Sequence, residues 1–145
     1  MIVLCVGPES SGTRLLTRQV DLLGVTAIHR SIPHADKWWD AVEFDAAIFI
    51  SRDPWITEIS GVSAGHRDNF DWSDKDRQYP YRLTNAWKCF SENVILPEKK
   101  WIPVTYEGLV RSPQWTLDNI AAWLEVPPAL IVENISDPRV TRSSS

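Results

Sequence analysis

The chain has 145 residues, of which 23% are charged and 43% hydrophobic, and its formal net charge is −4. This length predicts one domain over residues 1–145 with room for a real core, and the acidic balance argues against a broad nucleic-acid surface. No apolar run approaches the roughly 18 residues that a membrane-spanning helix needs, so neither nucleic acid nor membrane is an expected partner.

In chain order, Ile2–Val6 is a short continuous apolar run bounded by Gly and Pro, the pattern of a strand buried on both faces. It is also too short for the core of an export signal, and no basic region precedes it. Gly7–Leu16 (GPESSGTRLL) follows directly. Thr13–Leu23 then reads as a helix, with Leu15, Leu16, Val20 and Leu23 at helical spacing and Gly24 as its stop. Val25–Ile28 reads as a short second strand and Asp36–Val42 as a helical turn. Ala46–Ser51 is a third buried strand, followed by Arg52-Asp53-Pro54. Asp53 and Pro54 suit a helix start, which predicts a helix over Trp55–Ser60.

Gly61–Gln78 is polar and without periodicity, the character of a lid or binding loop. Tyr79–Asn93 reads as a helix. Trp101–Tyr106 reads as a fourth strand that Pro103 assigns to a sheet edge. Ser112-Pro113 opens an amphipathic helix that runs to Leu124, and Pro128–Ile135 suggests a last short helix. Cys5 and Cys89 stand far apart and read as reduced, buried thiols, which suits the cytoplasm. Alternating helices and fully apolar strands predict an α/β domain of three layers: a parallel sheet of about four to five strands flanked by helices. Ligands of such sheets bind at the carboxyl ends of the strands. Gly7–Thr13 and Arg52–Pro54 lie at that edge.

Gly7 and Gly12 permit a tight turn in which successive backbone N–H groups face one anion, and the helix that follows adds its positive end. Ser10, Ser11 and Thr13 bring hydroxyl donors. The spacing begins like an ATP-binding loop, yet Thr13 and Arg14 stand where Lys and Ser or Thr would hold the phosphates and Mg²⁺. No apolar strand ends in a lone Asp to hold that metal, and no metal is expected.

Ser10-Ser11-Gly12-Thr13-Arg14 instead resembles the phosphate loop of sulfotransferases that use 3′-phosphoadenosine-5′-phosphosulfate (PAPS), of the form K/R-x-G-[ST]-[TR], except at its first position. Arg52-Asp53-Pro54 with Ser60 is similar to that family's 3′-phosphate motif, in which an Arg ends a buried strand and a Ser lies eight residues beyond it. Val104–Leu124, with Tyr106, Glu107, Leu109 and Leu124, resembles the late strand–helix segment usually written YE-D-L, with Gly108 in place of the acid.

The resemblance implies a P-loop-type fold, PAPS as cosubstrate and transfer of its sulfuryl group to a hydroxyl or amine of a small-molecule or glycan-like acceptor. It places the nucleotide on Ser10, Ser11, Gly12, Thr13, Arg14, Arg52 and Ser60. The family's loop cation is replaced by Ser10, and Arg14, Arg18, Arg139 or Arg142 are candidates to supply the charge. His29 and His34 flank Ser31, which stands where many members carry a catalytic His before a Pro, and both are candidate bases, with Glu9 and His66 as further ones. Trp38 or Trp39 is a candidate wall of the acceptor pocket. Two other readings stay open: a P-loop nucleotide kinase or phosphotransferase, and a module that binds PAPS or its 3′,5′-bisphosphate product without turnover.

Overall fold

The computed structural model describes residues 1–8, 11–32, 43–53 and 79–131. The elements are β1 (Ile2–Pro8), α1 (Thr13–Asp21), β2 (Thr26–Ile32), β3 (Ala46–Ser51), α2 (Tyr79–Phe90), a π-helical turn (Ser91–Ile95), β4 (Trp101–Thr105), α3 (Tyr106–Arg111) and α4 (Pro113–Leu124). The four strands form one parallel sheet in the order β2-β1-β3-β4. β1 and β3, the two central strands, are the most apolar runs of the sequence, as burial on both faces requires.

Side chains alternate across the pleat and build two cores. Val3 and Cys5 of β1 with Ile48 and Ile50 of β3 meet Leu15, Leu16 and Val20 of α1 and Leu117, Ile120 and Leu124 of α4. On the opposite face Leu4, Val6, Ala47 and Phe49 meet Ala86 and Phe90 of α2 and Val94 of the π-helical turn. Phe49, Trp87, Phe90 and Trp101 form an aromatic cluster there, with Phe49–Phe90 ring centroids 4.9 Å apart. Helices on both faces of a parallel sheet give the expected three layers.

The connections fix where a ligand fits. The crossover from β1 through α1 leads to β2 on one side, whereas the crossover from β3 that contains α2 leads to β4 on the other. The two crossovers lead to strands on opposite sides, which makes the carboxyl ends of β1 and β3 the switch point of the sheet, where α/β folds form a ligand crevice.

Several boundaries differ from the sequence reading: β1 runs on to Pro8 and α1 ends at Asp21, short of Leu23. β2 runs on to Ile32 because its ladder with β1 continues through Cys5–His29, Val6–Arg30, Gly7–Ser31 and Pro8–Ile32. Polar residues are tolerated there because β2 is an edge strand. Tyr106 is not in β4; it opens α3, for which Thr105 is the cap, its hydroxyl accepting from the Gly108 N–H at 3.1 Å. Helix formation after Phe90 continues as the π-helical turn to Ile95.

Residues 128–131 are not helical. The Gln114 side chain claims their backbone groups, donating to Ala129 O and accepting from Ile131 N, each at 2.9 Å. β4 is an edge strand, as Pro103 indicates. The expected helical segments 36–42 and 55–60, the polar stretch 61–78 and residues 132–145 lie outside the described residues.

Candidate functional site

β1 delivers Gly7 and Pro8, both buried, to the sheet edge. Three residues on, Ser11 is back against the strand end: its N–H donates to Pro8 O at 3.2 Å, and its hydroxyl donates to the same carbonyl. Ser11 is fully buried, so its hydroxyl, expected as an anion donor, braces the loop here. Gly12 is the residue before α1, with φ at 96°, a conformation that suits glycine. Its carbonyl accepts the first helical bond, from Leu16 N at 3.0 Å. Thr13 begins α1 and is buried, whereas Arg14 beside it is exposed to solvent.

Both glycines are required by close approach as well as by the turn. A Cβ on Gly7 would strike Ile50 O, and one on Gly12 would strike the Tyr106 ring. The described residues of the loop thus offer a lining of bare backbone at its two glycines, pressed against β3 and the start of α3. Such a lining suits an oxyanion, which backbone N–H groups and a helix N-terminus can hold.

Arg52 follows β3 across the crevice. It is only 5% exposed, and its guanidinium carbon sits 3.9 Å from the centroid of the Tyr106 ring. Tyr106 is equally buried. The face of an aromatic ring offsets part of the cost of withdrawing a cation from water. Gly12 and Arg52 therefore share one neighbour, the Tyr106 ring, and the two stretches that sequence placed at the sheet edge are joined through it.

The turn after Arg52 is tied down separately. The Asp53 N–H donates to Glu107 Oε1 at 2.8 Å, across 54 residues of sequence. Gly108 takes part in this corner by lacking a side chain: a Cβ there would come within 3.0 Å of Thr105 Oγ1. The acid usual at this position of the resembling motif would crowd the cap of α3.

His29 stands inside β2, three residues before its end, opposite Cys5, rather than in a loop. It is half-buried, and its Nδ1 is buried with no hydrogen-bond partner among the described residues. Burial chiefly, and then the nearby Arg14 and Arg30 guanidinia, hold its pKa below the ordinary value of 6.5. A neutral imidazole results near neutral pH. Arg30 also donates to the His29 carbonyl at 2.8 Å. On the same face, burial pushes the Cys5 thiol up to about 12.

The structure thus brings Ser11, Gly12, Thr13 and Arg52 to one sheet edge, with Arg14 at its rim and His29 set lower on β2. Ser10, His34 and Ser60 lie outside the described residues, as do Glu9, His66, Trp38, Trp39, Arg139 and Arg142. Among the described residues there is no group of three or more His, Cys, Asp or Glu side chains placed to hold a metal ion. None of their helices is long and apolar enough to cross a membrane.

The sequence reading placed Tyr106 and Glu107 in a motif but not in the nucleotide site. The motif YE was the available signal, but only the folded chain shows which residues it touches.

No family model matches the sequence, and no curated protein matches it either. Among solved structures, the chain is similar to the crystal structure of mouse sulfotransferase SULT7A1 complexed with PAP. The two are 17% identical with a TM-score of 0.56, and the match covers 99% of this chain and 63% of that one. The likeness is one of fold, a parallel α/β sheet with flanking helices. The chain spans less than two thirds of the length of the structure that it matches.

Proposed function

We propose that this chain binds PAPS in the crevice between β1 and β3 and transfers its sulfuryl group to a hydroxyl or amine of a small-molecule or glycan-like acceptor. The observation that carries the reading is Arg52, a buried guanidinium laid on the Tyr106 ring whose neighbour is Gly12 of the glycine loop. Two anion-binding elements so joined suit a ligand with phosphate at two ends. The fold it shares with a PAP-bound sulfotransferase supports the same ligand class.

In this reading the loop backbone from Gly7 to Thr13, with Ser10, holds the 5′-phosphosulfate, while the Ser11 hydroxyl, donating to Pro8 O, braces the loop. Arg52 and Ser60 hold the 3′-phosphate by charge-assisted hydrogen bonds. Sulfuryl transfer is an in-line displacement: the acceptor oxygen or nitrogen bonds to sulfur as the bond from sulfur to the 5′-phosphate oxygen breaks. The loop N–H groups and Arg14 stabilise the charge that gathers on that leaving oxygen. His29 or His34 takes the acceptor proton; a depressed pKa keeps His29 in the basic form for that role. Binding without turnover is a second reading, favoured by Ser10 in the place where the resembling loops carry a cation.

Thermal denaturation with adenosine 3′,5′-bisphosphate and with Mg-ATP separates this reading from a kinase or phosphotransferase. At a hundredfold excess over Kd the bisphosphate should stabilise the fold by about 2.7 kcal/mol. Equal or greater stabilisation by Mg-ATP would refute the proposal. Transfer of label from PAPS across an acceptor panel then decides between enzyme and binding module.

A further inference from the structure

We infer that Glu107 is a positioning residue for Arg52: its carboxylate fixes the backbone at Asp53, next to the residue whose guanidinium lies over the Tyr106 ring. The inference rests on the nucleotide-binding reading above and adds to it a residue outside the ligand's own contacts.

Arg52 lies just past the last residue of β3, where the ladder with β4 has ended at Ser51–Thr105. Its long side chain has many rotamers, and a mobile Arg spends binding energy on ordering itself. Two contacts remove that freedom. The Tyr106 ring supports the guanidinium at 3.9 Å. Glu107 Oε1 accepts the N–H of Asp53, the next residue, at 2.8 Å and so fixes the peptide that carries Arg52.

Glu107 is well placed to act at a distance. It belongs to the first turn of α3, whose start is held by the Thr105 cap, and its neighbours Tyr106 and Leu109 are buried in the core. The carboxylate is therefore mounted on a fixed corner, and a hydrogen bond from a backbone N–H to an ionised acceptor is among the stronger kinds. Tyr106 and Glu107, adjacent in sequence, hold Arg52 from two directions, one at the side chain and one at the backbone. A guanidinium held this way meets a phosphate dianion with its donors already oriented.

The test compares wild type, Glu107→Ala and Glu107→Gln. Affinity is measured by calorimetry for adenosine 3′,5′-bisphosphate and for adenosine 5′-monophosphate, with circular dichroism and thermal melting to establish folding. Glu107→Ala should bind the bisphosphate about tenfold more weakly and the monophosphate within twofold of wild type. Glu107→Gln keeps an acceptor oxygen and should stay within about threefold for both.

Unchanged bisphosphate affinity in a folded Glu107→Ala protein, or equal losses for both nucleotides, overturns the positioning role. A wild-type protein with no preference for the 3′-phosphate overturns the nucleotide reading and this role with it. Should Glu107→Ala fail to fold, amide exchange in the unliganded wild type and in Glu107→Gln still decides the matter. The Asp53 N–H should exchange slowly in both, and free exchange in wild type removes the tether.

Discussion

Arg52 concentrates the functional question in one side chain. It is buried, charged and seated on an aromatic ring at the end of a central strand. Hydrogen bonds between charged groups contribute roughly 1.5–3 kcal/mol. Arg52→Ala should therefore weaken adenosine 3′,5′-bisphosphate by about tenfold to a hundredfold, while the 5′-monophosphate changes little; calorimetry reads both. Equal losses would mean that Arg52 serves the fold.

His29 offers a test through pH. Because its pKa in the fold lies below 6.5, the unfolded chain binds the proton more readily than the native one. Its contribution to stability is then fully present above about pH 6.5 and falls as the pH drops below that value toward the native pKa. Urea midpoints between pH 7.5 and 5 should decline less steeply in His29→Gln than in wild type. Much of this site was legible in advance: Gly7, Gly12 and Arg52 follow from strand ends and turn chemistry. Tyr106 and Glu107 were not, because a ring packed on Gly12 and a carboxylate reaching Asp53 are long-range contacts with no local pattern.

At the level of elements, the strands were legible where they are buried on both sides. IVLCV and AAIFIS are unbroken apolar runs, and the structure places them at the centre of the sheet. β2 was legible only as far as Ile28. Beyond it His29, Arg30 and Ser31 lose the apolar signature, yet an edge strand needs only its ladder with β1 to continue. α3 was hidden for a different reason: Tyr106 favours strands by propensity, and the cap formed by Thr105 overrides it.

Over 128–131, the described part of the helix expected from Pro128, no helix forms, and Gln114 offers that backbone a competing set of hydrogen bonds. α4 is the element whose spacing was clearest, and its core face should be correspondingly sensitive. Leu117 is fully buried between α1 and the sheet. Leu117→Ala should cost about 2–5 kcal/mol in urea unfolding, and a loss below 1 kcal/mol would show that α4 is loosely seated.

Across the described residues the whole molecule is built on an all-parallel sheet, with the first strand in sequence, β1, as one of its two central strands. Its two thiols report on that architecture differently. Cys5 lies in β1 with its pKa pushed up to about 12, whereas Cys89 on α2 is only half-buried. At pH 8 a thiol reagent should modify Cys89 in the native protein and reach Cys5 only on unfolding, since the thiolate is the reactive form. Mass spectrometry of labelled peptides distinguishes the two. Rapid native labelling of Cys5 would show that the sheet opens far more often than its packing implies.

The shared Tyr106 wall also has a consequence for the chain as it is made. The glycine loop and Arg52 both precede in sequence the ring that stands between them, which belongs to Tyr106. A polypeptide not yet extended to Tyr106 thus carries both candidate anion-binding stretches without the ring that joins them. Under the proposed function, nucleotide capture is a property of the finished fold, gained late and lost early, so that a nascent or partly unravelled chain would not compete for the ligand.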